Sequence, residues 1–243
     1  MSRNRNEVVI VRGRVRPLGV FDDAIRLLRE TGSYWPMVGI SFVGVYVGQS
    51  VPLGALFIPL WIGCHLAVLQ MLDGRKAQFA VLGRPFERFK DILGVTLVHI
   101  GVQLLVTLVV GAVYFGTLLP VILATPHGAE PDPEEFRGAM VAFFAAYGAC
   151  LVGVLLYFFF TLFAAPLVFD RKLGTVEALR TSAAGVMANF GGVLGWWLLT
   201  TLMLVLSACC CIVMPFVLPL WVTSHTLVMN AIFPREVVAD TFD

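Results

Sequence analysis

Ile92–Ala129 reads ILGVTLVHIGVQLLVTLVVGAVYFGTLLPVILATPHGA and contains no Asp, Glu, Lys or Arg. A charged side chain near the centre of a bilayer costs about 2.5–3.5 kcal/mol. A run this long without one is what a membrane-crossing helix needs. Three more charge-free runs flank it: Thr31–Leu72, Gly138–Phe169 and Thr181–Pro234. The whole chain of 243 residues is 58% hydrophobic and 14% charged, with mean hydropathy +0.87. A soluble domain is about 25% charged and about 45–50% apolar. The composition therefore excludes an ordinary soluble domain and points to an all-α polytopic membrane protein.

One crossing takes about 20 residues, so each run divides on its own punctuation. Thr31–Leu72 holds GQSVPLG at Gly48–Gly54, and Gly and Pro mark turns. It reads as two spans, about 34–50 and 52–72. Ile92–Ala129 gives one, about 92–119, ending near Pro120. Gly138–Phe169 gives one, about 139–165. Thr181–Pro234 gives two, about 191–210 and 212–233, turning near Cys211–Pro215. The sum is six. The first span follows a polar, basic stretch and is expected to act as an uncleaved signal-anchor.

The basic residues orient the six spans. Sixteen of the 17 Lys and Arg fall on the N-terminal segment, the 73–91 and 170–190 joints and the C-terminal segment; the other side holds only Arg137. Basic residues stay on the cytoplasmic side, so the reading is a multi-pass protein of a bacterial cytoplasmic (inner) membrane, N-in and C-in. The outer loop TPHGAEPDPEEFRG, Thr125–Gly138, reads as a solvated linker.

Amphipathic stretches precede each pair of spans. Phe21, Ala24, Ile25 and Leu28 form a stripe in 20–31. Phe79, Leu82, Phe86 and Phe89 do so in 77–90, and Val176, Leu179, Val186, Met187 and Phe190 in the third. Such helices lie in the membrane interface. The expected organisation is a basic cytoplasmic tail, 1–18, and one membrane domain, 19–243, in three units of about 20–72, 77–167 and 174–233. The first and third units match: PLWIGCHLAVLQM from Pro59 echoes PLWVTSHTLVMNA from Pro219. Both hairpins run out and then in, which makes a parallel internal repeat.

The repeated mark supplies the candidate intramembrane polar site: His65, His99 and His225, with Trp61 and Trp221. Each histidine lies eight residues from an expected cytoplasmic boundary, or about 12 Å deep. Imidazoles at this depth hydrogen-bond between helices, contact a proton or substrate, or ligate a metal or haem. Interhelical bonding or plain packing is the leading reading, and the lack of an acidic residue beside them inside the spans weighs against a proton relay; no metal or cofactor is called for. Trp61 and Trp221 read as bundle packing. Pro59 and Pro219 are expected to kink helices 2 and 6.

Arg12, Arg14 and Arg16 in the tail are candidates for contact with anionic lipid head groups or a partner. Their alternation with Val8 and Ile10 also suits a short strand against a partner. Adjacent cysteines in ACCCIVMP, Ala208–Pro215, point about 100° apart on a helix and make a poor metal site. No phosphate loop, nucleophile elbow or HExxH motif occurs, and nothing suggests nucleic-acid binding. The glycines suit close helix packing.

The segment FAAPLVFDRKLGTVEALRTSAAGVMANFGGVLG, Phe163–Gly195, resembles uncharacterised bacterial six-span integral membrane proteins similar to the membrane domain of glycerophosphodiester phosphodiesterases. The likeness rests on Pro166, on Glu177, Ala178, Leu179 and Ser182, on Asn189 and Phe190, and on Pro215. It implies six helices without catalysis, since the chain carries no phosphodiesterase domain. The expected function is a non-enzymatic scaffold or accessory subunit of a membrane assembly, or an envelope-homeostasis factor. Its partners would be the bilayer and other membrane subunits or a second copy. The alternatives are a small transporter or lipid-handling protein using helices 2 and 6, and a His-ligated metal or haem subunit.

Overall fold

The computed structural model describes residues 8–51, 55–125, 132–209 and 212–235. Among them there is no strand, and 83% are helical. Among the described residues, four helical stretches are long and apolar enough to cross a membrane: Phe89–Ala124, Pro133–Arg171, Phe190–Ala208 and Met214–Ile232. The helices of the first hairpin are shorter, and Phe57–Leu72 is 16 residues long. The expected turn residues 52–54, most of the outer loop, and Cys210 and Cys211 lie outside the described residues.

In chain order, α1 is Pro17–Glu30. α2 is Tyr34–Phe42, prolonged by a π-helical turn at Val43–Val47 and a last turn at Gly48–Ser50. α3 is Phe57–Leu72. α4 is Phe89–Val113, continued through a π-helical turn at Tyr114–Leu118 to Leu119–Ala124. α5 is Pro133–Thr161 and α6 is Ala164–Arg171. α7 is Thr175–Ala188, α8 is Phe190–Ala208 and α9 is Met214–Ile232.

The chain divides into two compact units. One comprises residues up to Thr96 together with those from Phe160 onward; the other is Leu97–Phe159. The boundaries fall inside the middle unit read from the sequence, 77–167.

In the first unit, α1 starts with Pro17, whose fixed φ and missing N–H suit a first turn. Val20, Ala24 and Leu28 recur every four residues and are buried, while Asp22, Asp23, Arg26 and Arg29 stay outside. α1 ends at Gly32, φ +61°, with the N–H of Ser33 donating to Leu28 O. α3 ends the same way: Gly74 has φ +73°, and the N–H of Arg75 donates to Gln70 O. That hydrogen-bond pattern needs a left-handed residue after the helix, and glycine alone adopts it without a Cβ penalty. A Gly74→Val variant is therefore expected to lose about 1–2 kcal/mol. Chemical denaturation in detergent reads this directly, with Gly83→Val as a negative control because Gly83 has φ −77°.

The middle amphipathic helix expected over 77–90 is not formed. A 3₁₀ turn, Phe79–Gly83, gives way to one helical turn, Arg84–Glu87, and α4 begins at Phe89. Gly83 and Pro85 interrupt the apolar periodicity. Burial falls on neighbours, Val81 and Leu82, while Phe79 and Phe86 are exposed. Leu82 packs so closely on α3 that a Cβ at Gly63 would come within 2.8 Å of Leu82 Cα.

On α7 the inward face is Ala178, Ser182, Gly185 and Val186. Val176, Met187 and Phe190 from the expected stripe are exposed. Ser182 fastens the break between α5 and α6: its hydroxyl donates to Phe160 O (2.9 Å) and accepts from the Phe163 N–H (3.1 Å). Residues 8–16 are not a free tail. They run along the unit without forming a strand, and the Val11 N–H donates to Ile232 O at 2.8 Å. The strand-like alternation is thus used within the chain.

The second unit, Leu97–Phe159, is built from most of α4 with its continuation and most of α5. Leu118, Val121 and Ala139 form its small core, backed by Met140 and Phe143. Most other apolar side chains, among them Leu105, Leu108, Phe115, Val141 and Phe144, face outward.

Candidate functional site

α3, α6 and α9 of the first unit meet around a layer of buried polar side chains. His65 on α3 is 1% exposed and uses both ring nitrogens. Nδ1 lies 3.0 Å from Thr226 Oγ1 on α9, and Nε2 lies 3.1 Å from Asp170 Oδ2 at the end of α6. The Asp170 side chain is 13% exposed and also accepts from Arg235, at 3.3 Å. The adjacent Arg171 donates to the carbonyls of Phe233 (2.9 Å) and Pro234 (2.7 Å). The end of α6 thereby holds both the imidazole of α3 and the chain that leaves α9.

The absence of an acidic partner, read from the sequence, is corrected here. Asp170 directly follows the charge-free run ending at Phe169. Its number assigned it to the joint, but α6 carries its carboxylate back to α3. A signal was present in the sequence: LDGRK at Leu72–Lys76 resembles FDRK at Phe169–Lys172, which marks Asp170 as a repeated position.

His225 sits one residue before Thr226 on α9 and is equally buried. Its Nε2 lies 3.0 Å from Leu162 O, a carbonyl in the break between α5 and α6. Aromatic rings enclose it: Trp61 at 4.9 Å between centroids, Phe163 at 5.3 Å and Trp196 at 5.9 Å. The Trp196 Nε1–H donates to Ser224 Oγ at 3.0 Å, so a buried indole is satisfied within the layer. Trp61 and Trp221, the twin marks, touch each other at 4.8 Å.

The structure thus brings together four of the expected residues: His65, His225, Trp61 and Trp221. His99 belongs to the second unit, where its ring lies 5.3 Å from that of Phe158. Sequence reasoning missed Asp170, Thr226, Arg235, Trp196 and Ser224.

The kink expected at Pro59 is corrected. α3 begins at Phe57, so Pro59 occupies the first turn, where its missing N–H forfeits no helical bond. Pro219 does lie inside α9 and leaves the Pro215 carbonyl without its helical donor. Arg12, Arg14 and Arg16 are exposed.

Among the described residues, no group of three or more His, Cys, Asp or Glu side chains is placed to hold a metal ion. Both nitrogens of His65 are committed to the chain's own groups. The arrangement can join three helices through charge-assisted hydrogen bonds, and it can carry a proton between a carboxylate and an imidazole. The chain matches no protein-family model, no curated protein and no solved structure.

Proposed function

We propose that this chain is a six-span protein of a bacterial inner membrane, N-in and C-in, that performs no catalysis and serves as a scaffold or accessory subunit of a larger membrane assembly. The first hairpin completes the six, with α2 and α3 as its shorter crossings. Trp61 and Trp221 meeting at 4.8 Å is what two copies of a repeat facing each other would give.

The observation that carries this reading is the Leu97–Phe159 unit. In the most apolar window of Phe89–Ala124 only 11% is buried within the chain. The corresponding outward face of α5 is not uniformly bulky. Ala142, Ala145, Ala149 and Gly153 are all exposed and recur at helical spacing, and small residues let another span approach closely. Lipid covers bulky apolar faces; a second helix is what a small-residue face accommodates. Meanwhile His65, Trp196, Ser224, His225 and Thr226 of the other unit are bonded to groups of the chain itself.

Substituting Ala145 and Ala149 together by leucine tests the reading. These side chains face outward, so the variant is expected to unfold at the same denaturant concentration as the parent. In mild detergent it is expected to lose at least about tenfold of whatever protein co-purifies, a loss of about 1.4 kcal/mol. A parent protein that is strictly monomeric, with nothing bound, would contradict the scaffold role.

The second reading is a small transporter. It is favoured by one observation, the Asp170–His65 contact, since carboxylates and imidazoles at membrane depth serve proton coupling. A substrate flux abolished in Asp170→Asn would select it over the scaffold.

A further inference from the structure

We infer that residues 8–18 are a built binding site for the head groups of anionic phospholipids on the membrane face that carries the basic joints. This rests on the reading of the chain as membrane-embedded, and it names a ligand that the scaffold role does not require.

A basic segment that only directs insertion has no need of a fixed conformation. This one has it. The Val11 N–H donates to Ile232 O and the Val11 carbonyl accepts from Asn189 Nδ2, both at 2.8 Å. Asn189 also donates to Gly185 O (3.2 Å), which fixes its own orientation. Val15 is buried, and Gly192 on α8 leaves room for it: a Cβ there would come within 2.5 Å of Val15 O. Gly13, at φ +68°, supplies the bend between the two anchored valines.

The anchors turn the valines inward and leave Arg12, Arg14 and Arg16 exposed. None of the three makes an ion pair among the described residues. Three guanidiniums held within a few residues form a site for phosphate oxygens, which arginine binds bidentately. Their side-chain entropy is also partly lost beforehand, because the backbone is already fixed.

The surroundings choose a membrane over an acidic soluble partner. Leu18, 71% exposed, and Val9 border the arginines along the chain. Met187 and Phe190, on either side of the anchoring Asn189, are exposed as well. Apolar side chains beside basic ones suit the boundary between head groups and acyl chains. A water-soluble acidic surface would leave them unburied.

The test uses the full-length protein in phosphatidylcholine nanodiscs doped with spin-labelled phosphatidylglycerol or, separately, spin-labelled phosphatidylcholine. The fraction of motionally restricted label is measured. The parent is expected to prefer the anionic label. Changing Arg12, Arg14 and Arg16 together to glutamine is expected to lower that preference by at least tenfold, from about fivefold per arginine. Changing them to lysine is expected to keep most of it, which shows that the glutamine variant fails through charge and not through misfolding. An equal-charge control, with Arg84, Lys90 and Arg180 changed to glutamine, is expected to lose clearly less, since only the general attraction of the leaflet is reduced there. The inference is overturned if the glutamine variant retains the preference, or if the control loses as much. It is equally overturned if lipid binding is unchanged and the substitutions instead release an acidic protein partner. Failure of the scaffold role alone would appear differently, as an intact anionic preference in a protein that co-purifies with nothing.

Discussion

Replacing Asp170 by alanine is expected to lower the unfolding free energy by about 3–5 kcal/mol, the range for removing one member of a buried charge-bearing pair. The cost has two sources. His65, 1% exposed, loses the acceptor on Nε2 and cannot turn to water. Arg235 loses its partner as well, so among the described residues the hydrogen bonds from α6 to the chain leaving α9 are then those of Arg171. Asp170→Asn keeps the shape and one acceptor oxygen, and is expected to cost roughly half as much. The double variant His65→Leu, Asp170→Leu is the informative one. An apolar pair of similar volume leaves no orphaned polar group at that contact, so its loss should fall well short of the sum of the single losses. Denaturation in detergent, followed by tryptophan fluorescence, reports on this, since Trp61, Trp196 and Trp221 surround the layer. Additive losses would mean that the His65–Asp170 contact contributes nothing.

Trp196→Ala is expected to cost about 3–5 kcal/mol, the range for deleting a buried aromatic side chain. Trp196 is fully buried, packs against His225 and donates to Ser224. Removing it opens a large void beside the imidazole and leaves the serine hydroxyl without its indole donor, though the serine still donates to Trp221 O. Two residues along the same helix, Leu198 is 53% exposed, and Leu198→Ala is expected to change stability by less than about 0.5 kcal/mol. Detergent denaturation of the two variants side by side separates a residue that holds the bundle from one that only faces its surroundings. Equal losses would contradict the packing described for α8.

The four long apolar helices were legible because charge exclusion is a strong, local rule: each long run without charge contains a helix. What the rule does not locate is where a helix starts. The first hairpin turn was set by Gly and Pro at 48–54, yet α3 begins only at Phe57, and that shift alone turns Pro59 from a kink into a first-turn residue. The stretch 77–90 shows periodicity losing to local backbone chemistry. Its phenylalanines keep helical spacing, but Gly83 and Pro85 make the unbroken helix costlier than two short turns packed on α3.

The site was half legible for a similar reason. A histidine inside a charge-free run stands out, so His65 and His225 could be named. Thr226, Ser224 and Trp196 are ordinary in such a run and acquire meaning only through their partners. Asp170 was visible but was counted with the joint, because sequence position does not tell that α6 carries it back to α3. The arginines of the N-terminal segment were also visible. Their fixed backbone was not, because it depends on Asn189 and Gly192, nearly the whole chain away.

The central claim is that the bilayer sorts this chain, with uncharged stretches crossing it and basic joints left on one face. Single cysteines at Gln78, Lys172 and Glu134, in a background with the native cysteines changed to serine, test it in intact cells with a membrane-impermeant maleimide. Labelling of the cysteine at 134 alone is expected, with those at 78 and 172 labelled only after the membrane is opened. Positions 78 and 172 on opposite faces would contradict it.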